Sequence, residues 1–285
     1  MKKIFFFFTS LFVSFSALQA VNPVPPFALI TVPKAGSHLM MKTIYFLIGT
    51  QPIWHTKFPS SHYIPTESGY LYTHFCLSSE LEADYAQLPK LKKIVLIRDL
   101  RDVALSMIKQ IKKGSWPGLS HEERQAFLAS SLEEQLHFVI NYEYDVREIA
   151  EKAPNSIQVS LVKIANQAHL YSRKPDVLTI RYEDLVGPEG GGSREAQIEQ
   201  MHRINDFLEL HVTDDVLRAT ADMIYGDEVN PFGMQGGGFQ NLKSTFNMGL
   251  IGRWKEYFNE EHKEAFKKKL GRDLIALGYE EDDNW

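Results

Sequence analysis

The sequence predicts an α/β protein whose central parallel sheet is flanked by helices on both faces, three layers in all. Short apolar runs alternate with longer segments of helical periodicity, and polar chemistry stands just after several of the runs. A third observation is the stretch TVPKAGSHLMMK, Thr31 to Lys42, where an apolar run meets a turn bearing lysine and glycine and then a helix. In outline this is a phosphate loop. Its lysine precedes its only glycine and no Gly-Lys-Ser or Gly-Lys-Thr follows, so the magnesium-binding hydroxyl of a nucleotide triphosphatase has no counterpart.

Ahead of the fold, Lys2 and Lys3 precede an apolar stretch from Ile4 to Val13 and then SFSALQA, ending at Ala20. Charged, apolar, then small is the order of a secretory signal peptide. The run is too short to span a bilayer comfortably, and Leu18 is larger than the residue favoured three positions before a cut. We therefore expect a cleaved leader over residues 1–20, a single domain over 21–285, export to a periplasm or the exterior, and no stable membrane span in the mature chain. A cytoplasmic protein, or one anchored by the uncleaved segment, is the alternative.

Strands are expected at Phe27–Val32, Tyr70–Phe75, Lys93–Arg98 and Asp176–Tyr182, each an apolar or β-branched run. Helices are expected at Ser37–Ile48, Leu100–Lys112, as a long pair between His121 and Tyr171, and at Ser193–Leu210 and Thr213–Tyr225. Two irregular stretches remain. GPEGGGS, Gly187 to Ser193, reads as a long turn, and Gly226 to Gly252 is long enough to suggest a ligand lid.

Composition narrows the function. The 285 residues are 44% hydrophobic and 24% charged, which suits an ordinary packed core, and the net charge of -5 argues against a broad nucleic-acid footprint. The single Cys76 excludes an internal disulfide and a cysteine zinc cluster, and reads as a small core residue.

Open α/β sheets bind ligands beyond the carboxyl ends of their strands. Those corners carry PKAGSH, Thr73-His74, RDLRDVALS and RYEDL in turn. Singly, each has an ordinary reading: a solvated Lys34, a hydrogen-bonded His74, a charged helix start at Arg98, Asp99, Arg101 and Asp102, a cap at Asp184. Adjacent strands would bring all four into one cleft.

From Phe27 to the end, these residues resemble the sulfotransferases that use 3'-phosphoadenosine 5'-phosphosulfate (PAPS), a family with a P-loop-like fold. The resemblance implies that Pro33, Lys34, Ala35, Gly36 and Ser37, with His38 beside them, hold the donor's phosphosulfate. Arg98 and Ser106, eight positions apart, would hold its 3'-phosphate. RYEDL, with Tyr182, and the closing GLIGRWKEYF, from Gly249, match two further landmarks and add Tyr182 and Gly249 to the donor-binding set. His74 falls where the family's general base is found, and Lys34 would stabilise the leaving phosphate, with no metal required. The acceptor would be a hydroxyl or amine on a small molecule, lipid or saccharide, and the aromatic residues Trp54, Phe58, Tyr63 and Tyr70 are candidates to line its pocket.

Departures from the pattern are specific. Leu39 stands where many relatives carry a tryptophan, Tyr72 where many have a lysine, and Asn247 and Met248 replace the cations of a terminal Arg-Lys-Gly. Lys243 and Arg253 lie nearby in sequence. Two competing readings are a P-loop kinase, with Asp99 or Asp184 on magnesium, and a non-catalytic nucleotide-binding protein on the same fold.

Overall fold

A computed structural model describes residues 25, 27–48, 92–114, 119–142, 160–226 and 248–285, together with the backbone of 53–54 and 70–74. Its sheet contains β1 (Phe27–Thr31), β2 (Ile53–Trp54), β3 (Tyr70–His74), β4 (Lys92–Ile97) and β5 (Val177–Arg181) in the order β2-β3-β1-β4-β5. Every pairing is parallel. A central parallel strand is covered on both faces and so reads as an unbroken apolar run. FALIT in β1 is such a run, and all of it is buried. The edge strand β5 is buried only at Ile180.

The helices are α1 (Ser37–Ile48), α2 (Leu100–Lys112), α3 (His121–Ala129), α4 (Leu132–Asn141), α5 (Leu161–Ser172), α6 (Tyr182–Leu185), α7 (Arg194–Leu208), α8 (Asp214–Met223), α9 (Trp254–Tyr257) and α10 (Glu260–Ala276). From β1 the chain moves one way through α1 to β2, then back past β1 to β4 and β5, and right-handed crossovers in opposite directions place helices on opposite faces. Accordingly α1 packs with α8 and α8 with α7, while α2 packs with α4 and α5, both of which meet α10. Register keeps the strand ends level. Thr31 stands opposite His74 on one side and Leu96 on the other, and Ile97 stands opposite Arg181.

Several boundaries differ from the sequence reading. The expected pair between His121 and Tyr171 contains α3, α4 and α5 among the described residues. Ser120 and Ser131 each form a capping box, with Glu123 and Glu134, so α4 starts afresh at Leu132 instead of continuing α3. β5 stops at Arg181, and Tyr182 opens a helical turn. The sequence reading passed over β2 and α10, although α10 buries Phe266, Leu270 and Leu274 at helical spacing behind an Asn259–His262 capping box. Cys76, Phe58, Tyr63 and Lys243 lie outside the described residues.

Candidate active site

The turn between β1 and α1 is tight. Lys34 has a φ of 66° and Gly36 one of 104°, and the Ala35 N–H donates to the Val32 carbonyl at 3.0 Å. A side chain on Gly36 is excluded twice, by that φ and because a Cβ there would lie 2.3 Å from Cδ2 of Tyr182. Ser37 begins α1 with its hydroxyl turned inward, donating to Thr31 Oγ1 at 2.8 Å. The loop thus offers an anion its backbone amides and the positive end of α1 more than the Ser37 hydroxyl. His38 follows, half-buried, on the first turn of α1.

Tyr182 joins this loop to two other corners. Its ring lies against Gly36 and beneath the Arg98 guanidinium, whose Cζ is 4.2 Å from the ring centroid, and its hydroxyl donates to the Gly249 carbonyl at 2.7 Å. Burial pushes the phenol up to about 12, so it remains a donor at every physiological pH. Arg98 in turn donates from Nη2 to the Leu250 carbonyl at 3.0 Å. Among the described residues its buried Nε–H has no partner.

The segment from Met248 to Trp254 has little regular structure until α9 begins, yet it is held at almost every peptide. The carbonyls of Met248, Gly249 and Leu250 accept from the Tyr225 hydroxyl, the Tyr182 hydroxyl and Arg98. The amides of Gly252 and Trp254 donate to Asp102 at 2.7 and 3.0 Å, and that of Ile251 donates to the Gly190 carbonyl at 3.0 Å. GPEGGGS is therefore more than a long turn, since its Gly190 backs directly onto Gly249. The described end of the expected lid, Met248 to Gly252, is clamped to the body; residues 227–247 lie outside the described residues.

Beneath the site, acids and bases are paired. Asp99 caps α2 and grips Arg101 through both carboxylate oxygens, while Arg101 is stacked between Trp254 and Trp285 and pairs with Glu280. An Asp99 committed in this way is not a free magnesium ligand, which removes one of the two carboxylates the kinase reading relied on. Glu183 accepts from the Asp99 N–H at 2.9 Å and the Tyr279 hydroxyl at 3.1 Å, and burial raises its carboxyl to about 7.

Above these pairs the field is positive. Lys34 Nζ donates to Gln110 Oε1 at 2.9 Å, tying the loop to the last turn of α2. Burial, then the neighbouring charges of Lys113, Arg98 and Lys109, lower its ammonium to about 8. Lys34 is still mostly protonated at neutral pH. Ser106, half-buried, sits on the same side of α2 as Asp102 and Gln110 by helical spacing. His74 is placed by its backbone at the carboxyl end of β3, one strand across from the loop.

The sequence-expected residues Lys34, Ala35, Gly36, Ser37, His38, Arg98, Ser106, Tyr182 and Gly249 thus lie around one edge of the sheet, with the His74 backbone beside them. A family profile described as a sulfotransferase domain matches residues 25–278. The chain belongs to the sulfotransferase family. Among solved structures, this sulfotransferase is similar to mouse sulfotransferase SULT7A1 complexed with PAP, at 15% identity and a TM-score of 0.57, over 88% of this chain and 84% of that one. No curated protein matches the chain at a significant level. The match to the solved structure shows that the sulfotransferase shares that fold.

The sequence reading missed three supports of the site: Gln110, Asp102 and Glu183. Gln110 was signalled only by lying one turn beyond Ser106 on α2. The partners of Asp102 and Glu183 lie far along the chain and left no local trace.

Proposed function

We propose that this sulfotransferase moves the sulfuryl group of PAPS to a hydroxyl or amine of a small-molecule, lipid or saccharide acceptor. The observation that carries the reading is the Tyr182 junction, which holds the phosphate loop, Arg98 and the closing glycine segment as one unit. The donor needs two anchors, for a phosphosulfate and for a distant phosphate. Lys34 with the amides at the start of α1 suits the first, and Arg98 with Ser106 suits the second.

In this reading the acceptor oxygen or nitrogen attacks sulfur in line, its proton passes to His74, and the sulfur–oxygen bond to the 5'-phosphate breaks. Charge builds on the departing phosphate oxygen. Lys34 meets it with a full positive charge in a partly desolvated position, where such a contact is worth more than in water. The Lys34 ammonium has three N–H donors, so one can turn to that oxygen while another stays on the Gln110 carbonyl.

The test is transfer itself: the protein is incubated with PAPS and a panel of phenols, alcohols, amines and saccharides, and mass spectra are read for sulfated products. PAP release coupled to a sulfated product supports the reading, and PAPS consumption without any product contradicts it. We also place the mature protein outside the cytosol, its leader removed after Ala20. The family match begins only at residue 25. Recovered protein whose amino terminus is Val21 agrees with that placement, and one still starting at Met1 contradicts it.

A further inference from the structure

The loss of both cations before Gly249 leaves the donor's second phosphate with fewer positive partners than the family motif provides, and Met248, whose carbonyl is held by Tyr225, presents an exposed apolar side chain there. The clamp on the closing segment suggests where replacements lie. Gly252 and Trp254 both bond Asp102 on the first turn of α2, which fixes the intervening Arg253 alongside that helix. Asp102, Ser106 and Lys109 follow one another at intervals of four and three and so share one face of α2, which the bonds to Asp102 set against this segment, and Arg98 stands just ahead of the helix with Nη2 on the Leu250 carbonyl. Arg253 donates to the Tyr257 hydroxyl and lies over its ring, which orients the guanidinium while leaving further N–H groups to give.

We propose that Lys109 and Arg253 form, with Arg98 and Ser106, the subsite for the nucleotide's 3'-phosphomonoester, in place of the cations absent at positions 247 and 248. The proposal rests on the PAPS reading above and assigns to that site two residues outside its motifs. Like charges gathered on one surface repel, and Lys109 is held below the usual lysine range by burial and by the charges of Lys113 and Arg253. A dianionic phosphate placed among them turns that repulsion into attraction.

Calorimetric titration of the full protein with adenosine 3',5'-bisphosphate (PAP) and with adenosine 5'-monophosphate, which lacks the 3'-phosphate, tests this. Lys109→Ala and Arg253→Ala are each expected to weaken the bisphosphate by about 10- to 100-fold, and to change the monophosphate by less than about 3-fold. The monophosphate also reports whether each variant is folded. Unchanged bisphosphate affinity, or equal losses for the two nucleotides, overturns the subsite while leaving the donor reading intact. A parent protein that binds the bisphosphate no better than the monophosphate overturns the donor reading and the subsite together.

Discussion

At the residue scale, the proposed mechanism separates groups that hold the donor from groups that act on it. His74 is assigned to move a proton and Arg98 to bind. His74→Ala should therefore lower turnover by about 10²- to 10⁴-fold with little change in donor affinity, and Arg98→Ala should chiefly weaken the donor, by about 1.5 to 3 kcal/mol. Single-turnover transfer with donor binding measured separately distinguishes them, and a His74→Ala variant with the parent rate would move the base to His38. Lys34 adds a pH signature. In the free protein its charge is lost as pH rises through about 8, whereas a bound phosphate favours the charged form. Binding of PAP between pH 8 and 9 should consequently take up a proton, seen in calorimetry as an apparent enthalpy that varies with the ionisation heat of the buffer. An enthalpy independent of buffer would show that Lys34 is not recharged by the ligand.

At the element scale, the phosphate loop is shaped as much by Tyr182 as by any ligand. Gly36→Ala places a Cβ into the Tyr182 ring at a φ that disfavours side chains, and should destabilise the protein by about 1 to 3 kcal/mol while loosening the contact with Arg98. Thermal unfolding measures it, and a variant as stable as the parent would mean that the loop readily moves off the ring. The same junction shows what the sequence disclosed. α1 and α2 were legible to the residue because their apolar spacing and their starts at Ser37 and Asp99 are local signals. The end of β5 was not, since Tyr182 extends an apolar strand pattern yet is drawn into a helical turn by contacts with Gly36, Arg98 and Gly249. α10 was passed over even though its buried face recurs every fourth residue from His262 to Leu274. Motif residues could be read from spacing. Gln110 and Asp102 gain their meaning from partners far away in the chain, which only the fold brings near.

For the whole molecule, the buried Glu183 links stability to pH. Its folded pKa of about 7 lies above the ordinary 4.5, so the native state holds a proton that the unfolded chain has already released. The group's contribution is fully present below the unfolded value and is lost as pH rises through the folded one. Glu183→Gln should be close to the parent in stability near pH 4.5 and gain on it by on the order of 1 kcal/mol per pH unit up to pH 7. Chemical denaturation at several pH values gives the gap, and a constant difference between the two proteins would show that Glu183 titrates normally. The central claim, that this fold is built around a nucleotide bearing phosphates at both 3' and 5' positions, is tested most directly by thermal unfolding with PAP in the absence of metal. At about 100 times its dissociation constant, PAP should stabilise the protein by roughly 2.7 kcal/mol. No stabilisation by PAP, together with a clear shift from ATP and magnesium, would contradict the account and favour a kinase.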